Sequence, residues 1–344
     1  MFEWSWRSLN INMEKPSLDT AKAGAMRFNT DTSQMEIYDG NQWTGILATS
    51  PQQETGGTRG VYGGGHNGSM KNTLEFVTID TTGDATDFGD LITARELGSS
   101  NSSRTRGLFA GGRNPSLKNE IDFIAIASLG NGADFGDLTV AAMMMGALSN
   151  STRGVYCGGL QPSAQDVIQF VTIASTGNAL DFGNLTAATG QLGACASQTR
   201  GITGGGVTPS QVNTINFITI STIGNASDFG DLTRTAANTV SSCSNSQIGV
   251  FAGSEAGPGN TIDFVTISTL GDALDFGDLT LARGEFTGLS SKTRGVFACG
   301  NNTPNRVNTI DYIEFANKGN ATDFGDGTEN KSGVFGCSNG HGGL

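Results

Sequence analysis

From residue 58 to residue 339 the apolar residues come in short runs rich in Val, Ile, Thr and Phe, broken by Gly, Asn and Asp. Such runs read as strands joined by turns, with no helical spacing among them. In "NTIDFVTI", residues 260–267, Ile262, Phe264 and Thr266 face one way and Asp263, Val265 and Ile267 the other. Apolar residues on both sides predict sheets covered on both faces.

The pattern repeats. Asp-Phe-Gly recurs with its aspartate at Asp87, Asp134, Asp181, Asp228, Asp275 and Asp323, spaced 47 residues apart and finally 48. "TRGVYGGG" at 58 returns near 105, 152, 199, 247 and 293, and "NTLEFVTI" at 72 has five counterparts. A magnesium-binding Asp-Phe-Gly of the protein-kinase kind stands once, beside a phosphate loop and a strand lysine. Six copies without those companions exclude that reading. A period of this length is the mark of propellers and solenoids, and a propeller blade is covered by a neighbour on each face.

Each unit is expected to hold four strands. The inner one is a small-residue stretch such as "EFTGLSS" (285–291), followed by "RGVF", "NTIDFVTI" and an outer "TDFGDL" strand. The first unit has no clear inner strand, and residues 333–338, "GVFGCS", align with one; they are expected to pair inside the first unit. The glycine pair after an aromatic strand resembles the kelch repeat over residues 58 to 339, although Phe replaces its first aromatic and its Trp is missing. The expectation is an all-β chain: a six-bladed kelch-like β-propeller over 51–344, closed by 333–338, and a short N-terminal β-hairpin attachment segment over 1–50.

Composition narrows the partners. Net charge is −12 with no basic run, so nucleic acid and anionic membranes are not expected partners. No run approaches the ~20 apolar residues of a membrane span, and no signal peptide is visible, which predicts synthesis in a cytoplasm. The five cysteines, Cys157, Cys195, Cys243, Cys299 and Cys337, are read as buried thiols at strand positions filled elsewhere by small residues.

The three Trp, Trp4, Trp6 and Trp43, lie outside the repeats. "GAMRFNTDTSQMEIYDGNQWTGI" (24–46) reads as a hairpin with Phe28, Ile37 and Trp43 among its apolar residues. This stretch resembles an element of bacteriophage tail-fibre and other virion proteins, and the glycine-rich units resemble repeats in structural proteins of marine phages infecting cyanobacteria. The resemblance implies localisation on a virion. Trp4, Trp6, Phe28, Ile37 and Trp43 would attach to other virion proteins or to sister copies in a homo-oligomer, a trimer by analogy with phage fibres.

Chemistry finds little purchase. Asp84, Asp87 and Asp90 could suit calcium, but Asp84 becomes Asn131, Asn178, Asn225 and Asn320 in sister units, which suits a turn with positive φ. Arg59, Arg106, Arg153, Arg200 and Arg294 recur, broken by Ile248. They are read as structural, bonding an aspartate of the neighbouring unit; an anion clamp of the sialidase kind is the alternative. His66 and His341 lack partners in their motifs, and Glu96, Glu255, Glu285 and Glu314 form no evident pair. The reading is no enzyme, no cofactor and no metal, with a polysaccharide hydrolase as the minor alternative.

What varies between units is the loop after the glycine pair and the connection from outer to inner strand. Both should emerge on one face, where variable loops on a rigid scaffold carry binding. The candidates are His66, Asn67, Arg113, Asn114, Gln161, Thr208, Gln211, Glu255, Asn301, Asn302 and Arg306. Their expected partner is a host-surface glycan or protein; a purely structural or decorating role in virion assembly is the alternative.

Overall fold

The computed structural model describes residues 22–29, 34–45, 57–236, 240–253 and 259–344. The chain divides into two units, Met1–Thr55 and Gly56–Leu344. Among the described residues every regular element is a β-strand.

The first unit holds three antiparallel strands, Met26–Asn29, Gln34–Tyr38 and Trp43–Gly45, the middle one pairing with both others. Met26 lies opposite Ile37 and Phe28 opposite Met35. Directly paired residues share a face, so these four form one apolar patch, with Met26 65% and Phe28 45% exposed. The other face carries Arg27, whose Nε donates to Glu36 Oε2 at 2.7 Å and whose guanidinium lies 4.2 Å from the Trp43 ring centre. Trp43 therefore does not join Phe28 and Ile37 in one attachment surface, because the pleat sends it to the opposite side. Trp4 and Trp6 lie outside the described residues.

The second unit is a propeller-like set of small antiparallel sheets, six of them with four or five strands, beside a two-stranded hairpin of Leu160–Gln161 and Ser163–Ala164. The second sheet is representative: Ser99–Ser102, Arg106–Ala110, Glu120–Ala125 and Ala133–Asp137, each pairing with the next. The first sheet takes Arg59–Gly63, Thr73–Thr78 and Thr86–Asp90, and its inner strand is Phe335–Ser338, with Phe335 opposite Gly63 and Ser338 opposite Gly60. The inner strands are shorter than the sequence suggests: Thr287–Ser290 within 285–291, and Phe335–Ser338 within 333–338.

Six apolar clusters each draw on two neighbouring sheets, one of them on the sixth and the first. Within each sheet the ring of the third strand meets the Asp-Phe-Gly ring edge-on, as in Phe76 with Phe88 at 6.2 Å and Tyr312 with Phe324 at 6.0 Å. The tripeptide thus has a packing role. Register shifts at it, Leu74 facing Gly89 but Glu75 facing Asp87, so the strand bulges at Phe88 and that ring is buried. Its glycine cannot be replaced: at φ 146°, a Cβ on Gly89 would lie 2.4 Å from the carbonyl oxygen of Gly130 in the next unit.

Side chains on the inner strands explain the glycine of "TRG". A Cβ on Gly154 would meet Asn101 Oδ1 at 2.4 Å, and one on Gly201 would meet Leu148 at 2.6 Å. Gly249, Gly295 and Gly107 face Cys195, Cys243 and Cys337 in the same way, and Gly60 faces Leu289. So three cysteines occupy a position filled elsewhere by Asn or Leu, not by small residues; room comes from the glycine opposite. All five thiols are free and buried, and burial pushes Cys157, Cys195, Cys299 and Cys337 up to about 12.

Two expected turn and clamp roles change. The recurrent arginines donate to backbone carbonyls of the next unit, not to an aspartate: Arg106 Nη1 to Ile173 at 2.9 Å, Arg153 Nη1 to Ile220 at 2.8 Å and Arg200 Nη1 to Ile267 at 2.9 Å. Each guanidinium also covers the third-strand ring of its own sheet, as Arg106 does Phe123 at 4.5 Å. Where Ile248 breaks the series, Lys318 of the sixth sheet covers Phe264 at 3.8 Å. The positive φ before Asp84 and its Asn counterparts belongs to the preceding glycine, such as Gly83 at 157° or Gly130 at 152°. The Asp or Asn instead accepts a backbone N–H from the preceding unit: Asp90 to Asn131 Oδ1 and Asp326 to Asp84 Oδ1, both 3.0 Å.

Candidate ligand-binding face

The two variable segments of the repeat meet. Bridges join the hairpin after the glycine pair to the connection entering the next inner strand: Arg113 with Glu96, Leu160 with Met143, Val207 with Gly190, Asn301 with Gly284, and His66 with Ser332. In the second sheet a salt bridge adds to this, Arg113 Nη2 to Glu96 Oε1 at 2.8 Å, and Asn114 Nδ2 donates to the Ala94 carbonyl at 2.6 Å. Asn67 Nδ2 donates to Glu329 Oε2, and His66 Nδ1 accepts from the Gly68 N–H at 3.3 Å.

The remaining candidates stand on the hairpins themselves. Gln161 closes a two-residue strand, Leu160–Gln161, and Thr208 and Gln211 lie on the Val207–Thr208 hairpin. Asn301 faces Arg306 and Asn302 faces Asn305 at the far end of the sixth sheet. Glu255 lies outside the described residues. The hairpins of several sheets thus carry these polar side chains.

Below the hairpins the connections are anchored by a recurring slot. Arg95, fully buried, reaches Asp122 Oδ2 at 3.2 Å and the Phe109 carbonyl at 3.0 Å. Arg283 reaches Asp311 Oδ2 at 2.8 Å, and Lys331 Nζ reaches Glu75 Oε1 at 2.6 Å. The slot is neutral elsewhere: Ala142 replaces the cation and Thr139 donates to Gln169 Oε1 at 2.8 Å, while Thr186 donates to Asn216 Oδ1. Between the fourth and fifth sheets Asp263 receives Thr233 Oγ1, and a nearby arginine, Arg234, supplies the charge from a different position. Burial raises Asp122 and Asp263 above the usual carboxylate range despite these partners. Burial also acts to raise Glu75, but Lys331, Thr328 and Tyr62 outweigh it and hold the carboxyl low.

Sequence reasoning missed the centre of the face. A ring of backbone bonds runs from connection to connection: Gly333 N–H to the Glu285 carbonyl, Leu97 to Gly333, Met144 to Leu97 and Gln191 to Met144, all 2.8–2.9 Å. Inside it lies a cavity of about 140 Å³ between the inner strands, lined at one end by Leu97, Met144 and Glu285 and at the other by His341. Among the described residues none that lines it is Lys or Arg. A sequence signal existed at this ring position in one unit, where it is Gly333, the residue type most at ease in left-handed backbone.

At the His341 end, the segment Asn339–Leu344 is bonded to the inner strands. The His341 ring contacts the Ser102 carbonyl at 3.1 Å and Ser149 Oγ at 3.2 Å, its Nδ1 accepts the Gly343 N–H, and the Gly342 N–H donates to the Ser244 carbonyl. Because Nδ1 accepts, the neutral ring carries its proton on Nε2. Burial lowers His341 to about 4. Among the described residues no three His, Cys, Asp or Glu stand close enough to hold a metal ion. No protein-family model matches this chain, and among curated proteins none is similar to it.

Proposed function

We propose that the second unit is a six-bladed, kelch-like propeller closed by Phe335–Ser338, and that the protein is a non-enzymatic bacteriophage virion component. In this reading it is a tail-fibre or adhesin part that binds a host-surface glycan or protein through the hairpin face. The observation that carries it is the division of labour within the repeat. Residues constant across units are used between sheets, whereas the variable hairpins and connections come together on one side. Selection that conserves a scaffold and varies one face fits recognition.

A second reading, a decorating or assembly role, is favoured by the open apolar patch of Met26, Phe28, Met35 and Ile37 on the first unit. That patch suits docking on other virion proteins or on sister copies of a homo-oligomer, a trimer in the phage-fibre pattern.

The test is binding of the purified chain to host cells, with and without Arg113→Ala, Asn114→Ala and Asn301→Ala. Cell binding that these changes weaken supports the adhesin reading. No binding by the unaltered chain moves the assignment to assembly, and release of soluble sugar moves it to a hydrolase.

A further inference from the structure

Four residues of the backbone ring, Leu97, Met144, Gln191 and Glu285, adopt φ of 58°, 55°, 63° and 55°. None is Gly, Asn or Asp, the residues that tolerate this conformation. Gly333 holds the same ring position at φ 68°, so glycine serves the backbone there equally well. A strained side chain retained where glycine would do points to work done by that side chain. Met144 and Glu285 are half-buried and line the cavity mouth.

The lining has a defined chemistry. Leu97, Met144 and Phe286 give apolar surface, and Glu285 is its one carboxylate among the described residues. Ser99, Ser102, Thr287 and Ser290 are among the residues that line the same cavity and bring hydroxyl groups to it. One water needs roughly 10–15 Å³, so a space of about 140 Å³ exceeds a single water many times over. An apolar wall beside hydroxyl and carboxylate groups, without a cation, matches a neutral polyol ring. Such a ring presents C–H surface on one side and hydroxyls at its edge. Anionic sugars would find no counter-charge here.

We propose that this cavity binds one neutral hexose-type sugar residue, its C–H face on Leu97 and Met144 and its hydroxyls on Glu285. As the end of a host glycan, the ligand rests on the adhesin reading above; as a sugar site, it does not.

The test titrates the full chain with glucose, galactose and N-acetylglucosamine, with glucuronate and sialic acid as anionic comparisons, followed by NMR. At least one neutral sugar should bind saturably and the anions more weakly. Met144→Gly and Glu285→Gly should keep or raise the melting temperature while weakening that sugar by at least about tenfold. Glu285→Gln, which keeps the side-chain shape, should weaken it less. No neutral-sugar binding, tighter binding of the anions, or wild-type affinity in both glycine variants would each overturn the proposal. Host-cell binding that survives both glycine variants overturns the cavity as the glycan site and leaves the adhesin reading intact. Sugar binding without any host-cell binding removes the adhesin reading and leaves the site standing.

Discussion

Between the fifth and sixth sheets, the connection is held by Arg283 against Asp311, both fully buried. Between the second and third, the same backbone position carries Ala142, and the residue matching Asp311 is Gln169, bonded by Thr139. The chain contains both solutions in near-identical surroundings, and they are matched: a cation across from an acid, or no cation across from an amide. Even the exception obeys, since Asp263 faces Ala236 yet has Arg234 nearby. The lesson is that this slot demands a donor and an acceptor, while net charge is free to vary if both sides change together. Burying one charge alone is what the fold avoids.

Breaking the match should have the largest effect. Arg283→Ala leaves the Asp311 carboxylate buried without its cation and should cost about 3–5 kcal/mol, read by chemical denaturation. Adding Asp311→Gln converts the slot to the neutral pattern of the second and third sheets and should recover most of the loss. If the double variant is as unstable as the single one, the slots are not equivalent.

Acid should separate two charged slots from each other. Glu75 is held below its ordinary range, so its contribution is present above about pH 4.3 and lost as pH falls through the lower folded value. Asp122 is raised by burial, so its contribution is greatest at low pH and is lost as pH rises through the higher folded value. In denaturation curves between pH 3 and 7, Glu75→Gln should therefore reduce the loss of stability on acidification, and Asp122→Asn should increase it. Equal slopes in the two variants would show that the slots titrate alike.

The smallest effect belongs to the outer series. Ile248→Arg restores the arginine found in the other five units, but Lys318 already covers Phe264 from the sixth sheet. The expected change is within about 0.5 kcal/mol of zero, since the gain in one cation is offset by crowding another. A clear stabilisation would mean that Lys318 does not substitute for the missing guanidinium.

How far the sequence could be read depended on whether a role repeats. Asp-Phe-Gly and the "TRG" glycine act in the same way in every unit and the arginine in five of the six, so their period exposed a strand order and a pairing of Phe335–Ser338 with Arg59–Gly63 that would otherwise be a contact between residues far apart in the chain. Their partners were less legible. The arginine targets are main-chain carbonyls, which every residue has, so no side-chain pattern marks them. The cavity mouth was hidden for the opposite reason. Leu97, Met144, Gln191 and Glu285 share a backbone conformation but no chemistry, and Leu or Met in a left-handed turn contradicts local preference. In the first unit a period-2 count puts Ile37 and Trp43 on one face, but the tight "DGNQ" turn between them inverts the count and pairs Trp43 with Tyr38.

The segment carrying His341 and Gly342 touches inner-strand ends of the second, third and fifth sheets, and Asn339 bonds Arg59 of the first. The segment thus ties inner-strand ends of separate sheets together at the His341 end of the cavity, while Met144 and Glu285 stand at the other.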